Sequence, residues 1–185
     1  MRIGNALFGL LVLTGLITSA ATPLSAQAPA RAPGRGGTPP QQVEANLGQL
    51  MKGILFPNSN VIFFTQSQDP TKLPEPKDPS VATDPLVNTY GKWQAVENSA
   101  LALAEAANLL TIPGRKCSNG LPVPMGNADW PKFVQGLREA GMKAYKAAQT
   151  KDMDKMLDAA DTMTTACANC HDKYREKPTL ADRCK

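Results

Sequence analysis

The sequence predicts an all-α protein, an antiparallel bundle of four helices. Two observations carry this. From residue 41 onward, apolar residues recur three and four positions apart in four separate segments, and no segment alternates apolar and polar residues with the period of a strand. The breaks between segments hold Pro, Gly, Asp and Asn, the residues that stop helices and make turns. Helices joined by short or moderate connections pack as antiparallel neighbours.

The first residues lie outside the bundle. MRIGNALFGLLVLTGLITSA has one Arg, an apolar run and then small residues at TPLSAQA. This is the layout of a secretory signal peptide over 1–26, with cleavage expected after Ala26. The alternative is an uncleaved anchor; the apolar length is borderline for a bilayer and no second hydrophobic span follows. Export places the mature chain in the periplasm, where disulfides persist. Residues 27–40, QAPARAPGRGGTPP, have no large apolar side chain and read as a flexible linker. The domain proper is 41–185.

In that domain Val43, Leu47, Leu50, Met51 and Ile54 share a helical face, which makes the first helix. Pro57 is expected to kink or end it, with Asn58 and Ser59 restarting a turn that carries Val61 and Phe64 onward. The Pro- and Asp-rich DPTKLPEPKDPSVATDPLVNTYG reads as a long loop. A second helix runs from Trp93 to Leu110, with Val96, Ala100, Leu103 and Ala107 in register, and Pro113–Gly114 stop it. Asp129 is placed to N-cap a third helix whose stripe is Trp130, Phe133, Val134, Leu137, Ala144, Tyr145 and Ala148. A short break near Thr150–Asp152 leads to the fourth, with Met153, Met156, Leu157, Ala160, Met163, Cys167, Cys170, His171 and Tyr174 on one stripe.

The net charge of +4 is modest and evenly spread, so it does not argue for nucleic acid. The chemistry is concentrated in TACANCHDKYR, residues 165–175. Cys167, Cys170 and His171 are three and four apart on one helix, so two thiols and the single imidazole of the chain project together. Covalent haem attachment needs this set: thiols that add to the porphyrin vinyl groups and an adjacent imidazole that reaches the iron. A thioredoxin-like CxxC would need a βαβ setting. A disulfide across CANC would leave His171 on the inner face without a role. Zinc would call on Cys117 and Cys184, which are not a second close pair.

With CxxCH near the C-terminus, on the last of four helices and followed by Tyr174 and Arg175, the chain resembles the class II c-type cytochromes, the cytochrome c prime family. ACANCHDKYREK carries the resemblance most strongly; WQAVENSALALAEAANLL and the Trp130 helix fit more loosely. It covers about residues 41–178. The Pro57 interruption, the long proline-rich loop and the tail with Cys184 depart from the family's pattern. The resemblance implies one haem c near the C-terminal end of the last helix, with Cys167 and Cys170 as thioether anchors, His171 as the proximal iron ligand and Arg175 near the propionates. Tyr174 would pack beside the haem.

In an up-down-up-down bundle the start of the first helix lies at the end where the fourth finishes. Met51 and His171 are then candidates for opposite sides of the iron. The finish of the second helix lies there too, so Cys117 and Cys184 are candidates for a disulfide; the alternative is two unpaired or intermolecular cysteines. One histidine excludes bis-histidine ligation within a protomer, which leaves Met51, Lys52, water or an apolar wall on the distal side. In the low-spin branch of the resembled family a methionine in a similar LMK setting is the sixth ligand. In the high-spin branch an apolar side chain leaves the iron open to NO or CO. Methionines on helix stripes are also commonly core filler.

The expected function is electron transfer by an exported monohaem cytochrome, with gas binding as the second reading and a haemless bundle held by disulfides or zinc as the third. Lys173, Arg175, Lys177, Arg183 and Lys185 would complement the helix dipole and could offer a basic rim to an acidic redox partner. Class II relatives often pair through their first two helices, so a homodimer is also implied. No Ser/His/Asp set, phosphate-cradling loop or distal histidine argues for an enzyme.

Overall fold

The computed structural model describes residues 41–176, 179, 183 and 184. The expected signal peptide and linker, 1–26 and 27–40, lie outside the described residues. Four helices form the domain, and no strand occurs among the described residues beyond one isolated bridge between Lys116 and Pro122.

The first helix, α1, is continuous through three stretches: α-helical Leu47–Leu50, a π-helical turn Met51–Leu55, and α-helical Phe56–Phe64. Its start is four residues later than the apolar stripe suggests, and Val43 lies before it. Asn46 and Gln49 set the boundary as a capping box, the Asn46 side chain accepting from the Gln49 amide at 2.8 Å and Gln49 accepting from the Asn46 amide at 2.9 Å.

The expected restart at Pro57 is also corrected: the helix continues through it. Proline has no N–H and its ring crowds the carbonyl four residues back. Here the preceding turn is widened instead, the Phe56 N–H bonding to the Met51 carbonyl five residues earlier. Asn58 and Ser59 cap nothing. Their side chains donate back to the carbonyls of Ile54 at 2.7 Å and Phe56 at 3.0 Å. Val61 and Ile62 enter the core, whereas Phe64 is 43% exposed.

The long loop is built from Asp-Pro pairs. Asp69 and Asp78 cap short 3₁₀ turns at Pro70–Lys72 and Pro79–Val81, and the Asp84 carboxylate accepts from the Leu86 amide. Leu86 is fully buried, and Trp93 Nε1 donates to Thr71 Oγ1 at 2.8 Å, so the loop is tied to the start of the next helix.

Helix α2 is Trp93–Leu109 and helix α3 is Trp130–Thr150. They pack against each other more extensively than any other pair. Val96, Ala100, Leu103 and Ala107 are at most 1% exposed. Each of the two larger side chains contributes roughly 1.5–3 kcal/mol by leaving water. Lys151 adopts a left-handed conformation as the cap of α3. Asp152 then opens α4, Met153–Tyr174, accepting from the amides of Asp154 and Lys155. Met156, Ala160 and Met163 are fully buried on its inner face, but Leu157 is 37% exposed, just outside that stripe.

Helix α4 packs on α3, and α1 packs on α2 with its second half reaching α4. One end is tied closely. The Leu47 amide donates to the Lys116 carbonyl at 2.8 Å, and the buried Arg115 donates to the carbonyls of Ala45 and Leu109. A cation there also meets the partial negative charge at the end of α2. Cys117 and Cys184 are bonded as a disulfide, with Cα atoms 4.9 Å apart. The Cys184 amide donates to the Tyr174 carbonyl at 3.0 Å, so the tail folds back on the end of α4.

Candidate functional site

At that same end a mostly apolar cavity of about 580 Å³ opens between α1 and α4. Its size is in the ~300–1,000 Å³ range of small-molecule and cofactor sites. Cys167, Cys170, His171, Tyr174 and Arg175 line it from α4, and Met51 lines it from α1. Cys184 touches it, while Cys117 reaches it only through the disulfide. Lys52, the other distal candidate, lines the same cavity and is exposed.

The two CANC thiols are free and half-buried. Burial pushes the Cys170 thiol up to about 11, helped by Cys167 and the Asp129 carboxylate. Cys167 is raised by burial too, with Arg175 opposing. Burial and then the Arg175 charge lower His171, so its imidazole is favoured in the neutral form that can ligate a metal. Among the described residues no three His, Cys, Asp or Glu side chains converge on a point where one metal ion would bind. The thiols and imidazole are set along one face of α4, three and four positions apart.

Tyr174 is buried by aromatic rings rather than left free. Trp130 stands edge-on to it at 5.3 Å between centroids and Phe133 at 6.1 Å. Its hydroxyl donates to the Asp129 carboxylate and accepts from Asn127 Nδ2 at 3.2 Å. Asp129 precedes α3 as expected, but its side chain makes no helix-capping hydrogen bond. It is turned toward Tyr174 and Lys173, the latter at 3.6 Å. Those partners hold its carboxyl below the ordinary 3.8, the Tyr174 hydrogen bond most of all.

Of the other basic residues, Arg175 pairs with Glu176, and the Arg183 carbonyl accepts from Asn119. Lys177 and Lys185 lie outside the described residues. The α1 wall of the cavity has members that the sequence reading does not single out, Leu55, Ser59 and Phe63. Their i, i+4 spacing from Met51 is visible in the sequence, but it brings them to one cavity only with the π-helical turn Met51–Leu55, which the sequence does not announce. No described helix is long and apolar enough to cross a membrane. Comparison with protein-family models, curated proteins and solved structures finds no match to this chain.

Proposed function

We propose that this chain is an exported, monohaem c-type cytochrome of class II type, an antiparallel four-helix bundle that carries electrons in the periplasm. The observation that carries the reading is the cavity that Met51 of α1 lines together with Cys167, Cys170 and His171 of α4. The donor set fits haem c: two free thiols three residues apart for thioether bonds, an adjacent imidazole biased to its neutral form, and apolar walls.

When bound, haem c supplies a one-electron couple at its iron. Cys167 and Cys170 would hold the group on α4, and His171 would offer a nitrogen to its iron. Met51 would offer a thioether, a soft ligand that favours the reduced state. Apolar side chains from α1 and α3 keep water from the site, and Tyr174, held by Asp129, Asn127 and two aromatic rings, stiffens the end of α4. Arg175 and Lys52 put positive charge at the cavity, suited to haem propionates and to an acidic redox partner. No substrate turnover is assigned.

The test is an optical spectrum of the exported protein, oxidised and dithionite-reduced, before and after CO. Covalently retained haem with a low-spin reduced spectrum indifferent to CO is expected, and Met51→Ala should make it CO-responsive. Cys167→Ala or Cys170→Ala should weaken or abolish covalent retention, and His171→Ala should abolish normal ligation. A high-spin, CO-binding parent would assign Met51 to packing and make NO/CO binding the better account. Fully loaded, spectrally unchanged variants at all three α4 positions would remove the site assignment.

A further inference from the structure

The residues of α1 that face the cavity include Leu47, Met51, Leu55, Ser59 and Phe63, each four positions after the last. An α-helix turns ~100° per residue, so a strict four-residue repeat drifts by about 40° at each step. From Leu47 to Phe63 the drift reaches about 160°, enough to carry one end of an ideal helix to the opposite face. The π-helical turn Met51–Leu55 in effect inserts one residue and takes back about 100° of it. Both ends of α1 therefore look into the same cavity while Val61, Ile62 and Thr65 stay in the core.

Pro57 stands directly after this correction, two residues beyond Leu55. The next amide that could close an ordinary turn belongs to a residue with no N–H, and the i→i−5 bond from Phe56 to Met51 lies immediately before it. Gly53 within the turn is exposed, and a Cβ added there would meet nothing within 4 Å, so the extra residue is accommodated toward solvent.

We infer that Pro57 is a positioning residue: by pinning the π-helical turn at Met51–Leu55, it sets the phase of α1 that aims Met51 into the cavity. In its spectroscopic arm this rests on the haem reading above. Without the proline the widened turn is free to migrate or close, and the half-helix bearing Met51 rotates relative to the half anchored by Val61 and Ile62.

The experiment uses the full-length, haem-loaded protein and compares Pro57→Ala, the same variant with Gly53 deleted, and Met51→Ala. Two quantities are read: the CO response of the reduced spectrum, and the rate at which peroxide oxidises Met51, followed by mass spectrometry. Replacing an interior proline raises helix propensity, so loss of the fold is not the expected route. Pro57→Ala should keep its covalent haem yet gain a CO-binding fraction like that of Met51→Ala, with Met51 oxidised several-fold faster. Deleting Gly53 in that background turns the π-helical turn into an α-turn without changing phase, and should restore both quantities. Parent-like values in Pro57→Ala, or no restoration by the deletion, would overturn the inference. If Met51→Ala itself leaves the spectrum unchanged, distal ligation fails separately, and the Met51 oxidation rates alone decide the role of Pro57.

Discussion

Tyr174 joins the end of α4 to the start of α3 through one hydroxyl. Its bond to Asp129 is the largest cause of the depressed Asp129 carboxyl, with Lys173 adding to it. A carboxyl depressed in the folded state contributes stability that is fully present above the unfolded value, here 3.8, and is lost as pH falls through the lower folded value. Tyr174→Phe should therefore raise the Asp129 carboxyl toward 3.8, as read by ¹³C NMR titration. The stability gap between parent and variant should be full at neutral pH and narrow below that value; a gap independent of pH would mean that ring packing alone is at stake. This role was not legible in the sequence. Tyr174 reads as a residue of the α4 stripe and Asp129 as a helix cap, and only the tertiary fold, 45 positions apart along the chain, turns the cap toward the ring. That Cys167, Cys170 and His171 share one helix and one cavity is legible, because they are contiguous in the sequence.

At the scale of elements, α2 and α3 approach closely because small residues face each other. A Cβ added at Gly141 would stand 2.8 Å from the Ala104 amide nitrogen and 2.9 Å from the Ala100 carbonyl oxygen. Both are backbone atoms in a packed helix and have little room to yield. Gly141→Ala should gain up to ~1 kcal/mol in helix propensity and lose ~1–3 kcal/mol to overpacking, a net loss visible as a lower midpoint of thermal unfolding. A raised midpoint would show that the two helices separate freely. The spans of α2, α3 and α4 follow from apolar spacing and their breakers, since nothing distant competes with those local signals. The α1 helix is different. Its Asn46–Gln49 capping box was available in the sequence, but the passage through Pro57 was not. Local preference stops a helix there, whereas burial of Leu50 and Leu55 on one side and Val61 and Ile62 on the other keeps it going.

For the whole molecule, the Cys117–Cys184 disulfide closes a loop of 67 residues that contains all of α3 and α4. On the chain-entropy account such a closure stabilises the fold by about 4 kcal/mol, because it removes open conformations from the unfolded chain. Both sulfurs are buried, and the same tail is held by the Cys184 amide on Tyr174 and by Asn119 on the Arg183 carbonyl. The crosslink thus acts at the cavity end, where the start of α1, the loop after α2 and the finish of α4 come together. Replacing both cysteines by serine should lower the denaturant midpoint by an amount equivalent to about 4 kcal/mol, and reduction of the parent should give the same loss. Amide exchange separates the two origins of that loss. If the effect lies in the unfolded chain, exchange at Tyr174 and its α4 neighbours should quicken only in step with global stability. Selective exchange at the end of α4, well beyond the global change, would instead mean that the disulfide clamps the cavity wall in the folded state, and on the proposed haem reading the serine variant would then retain less haem.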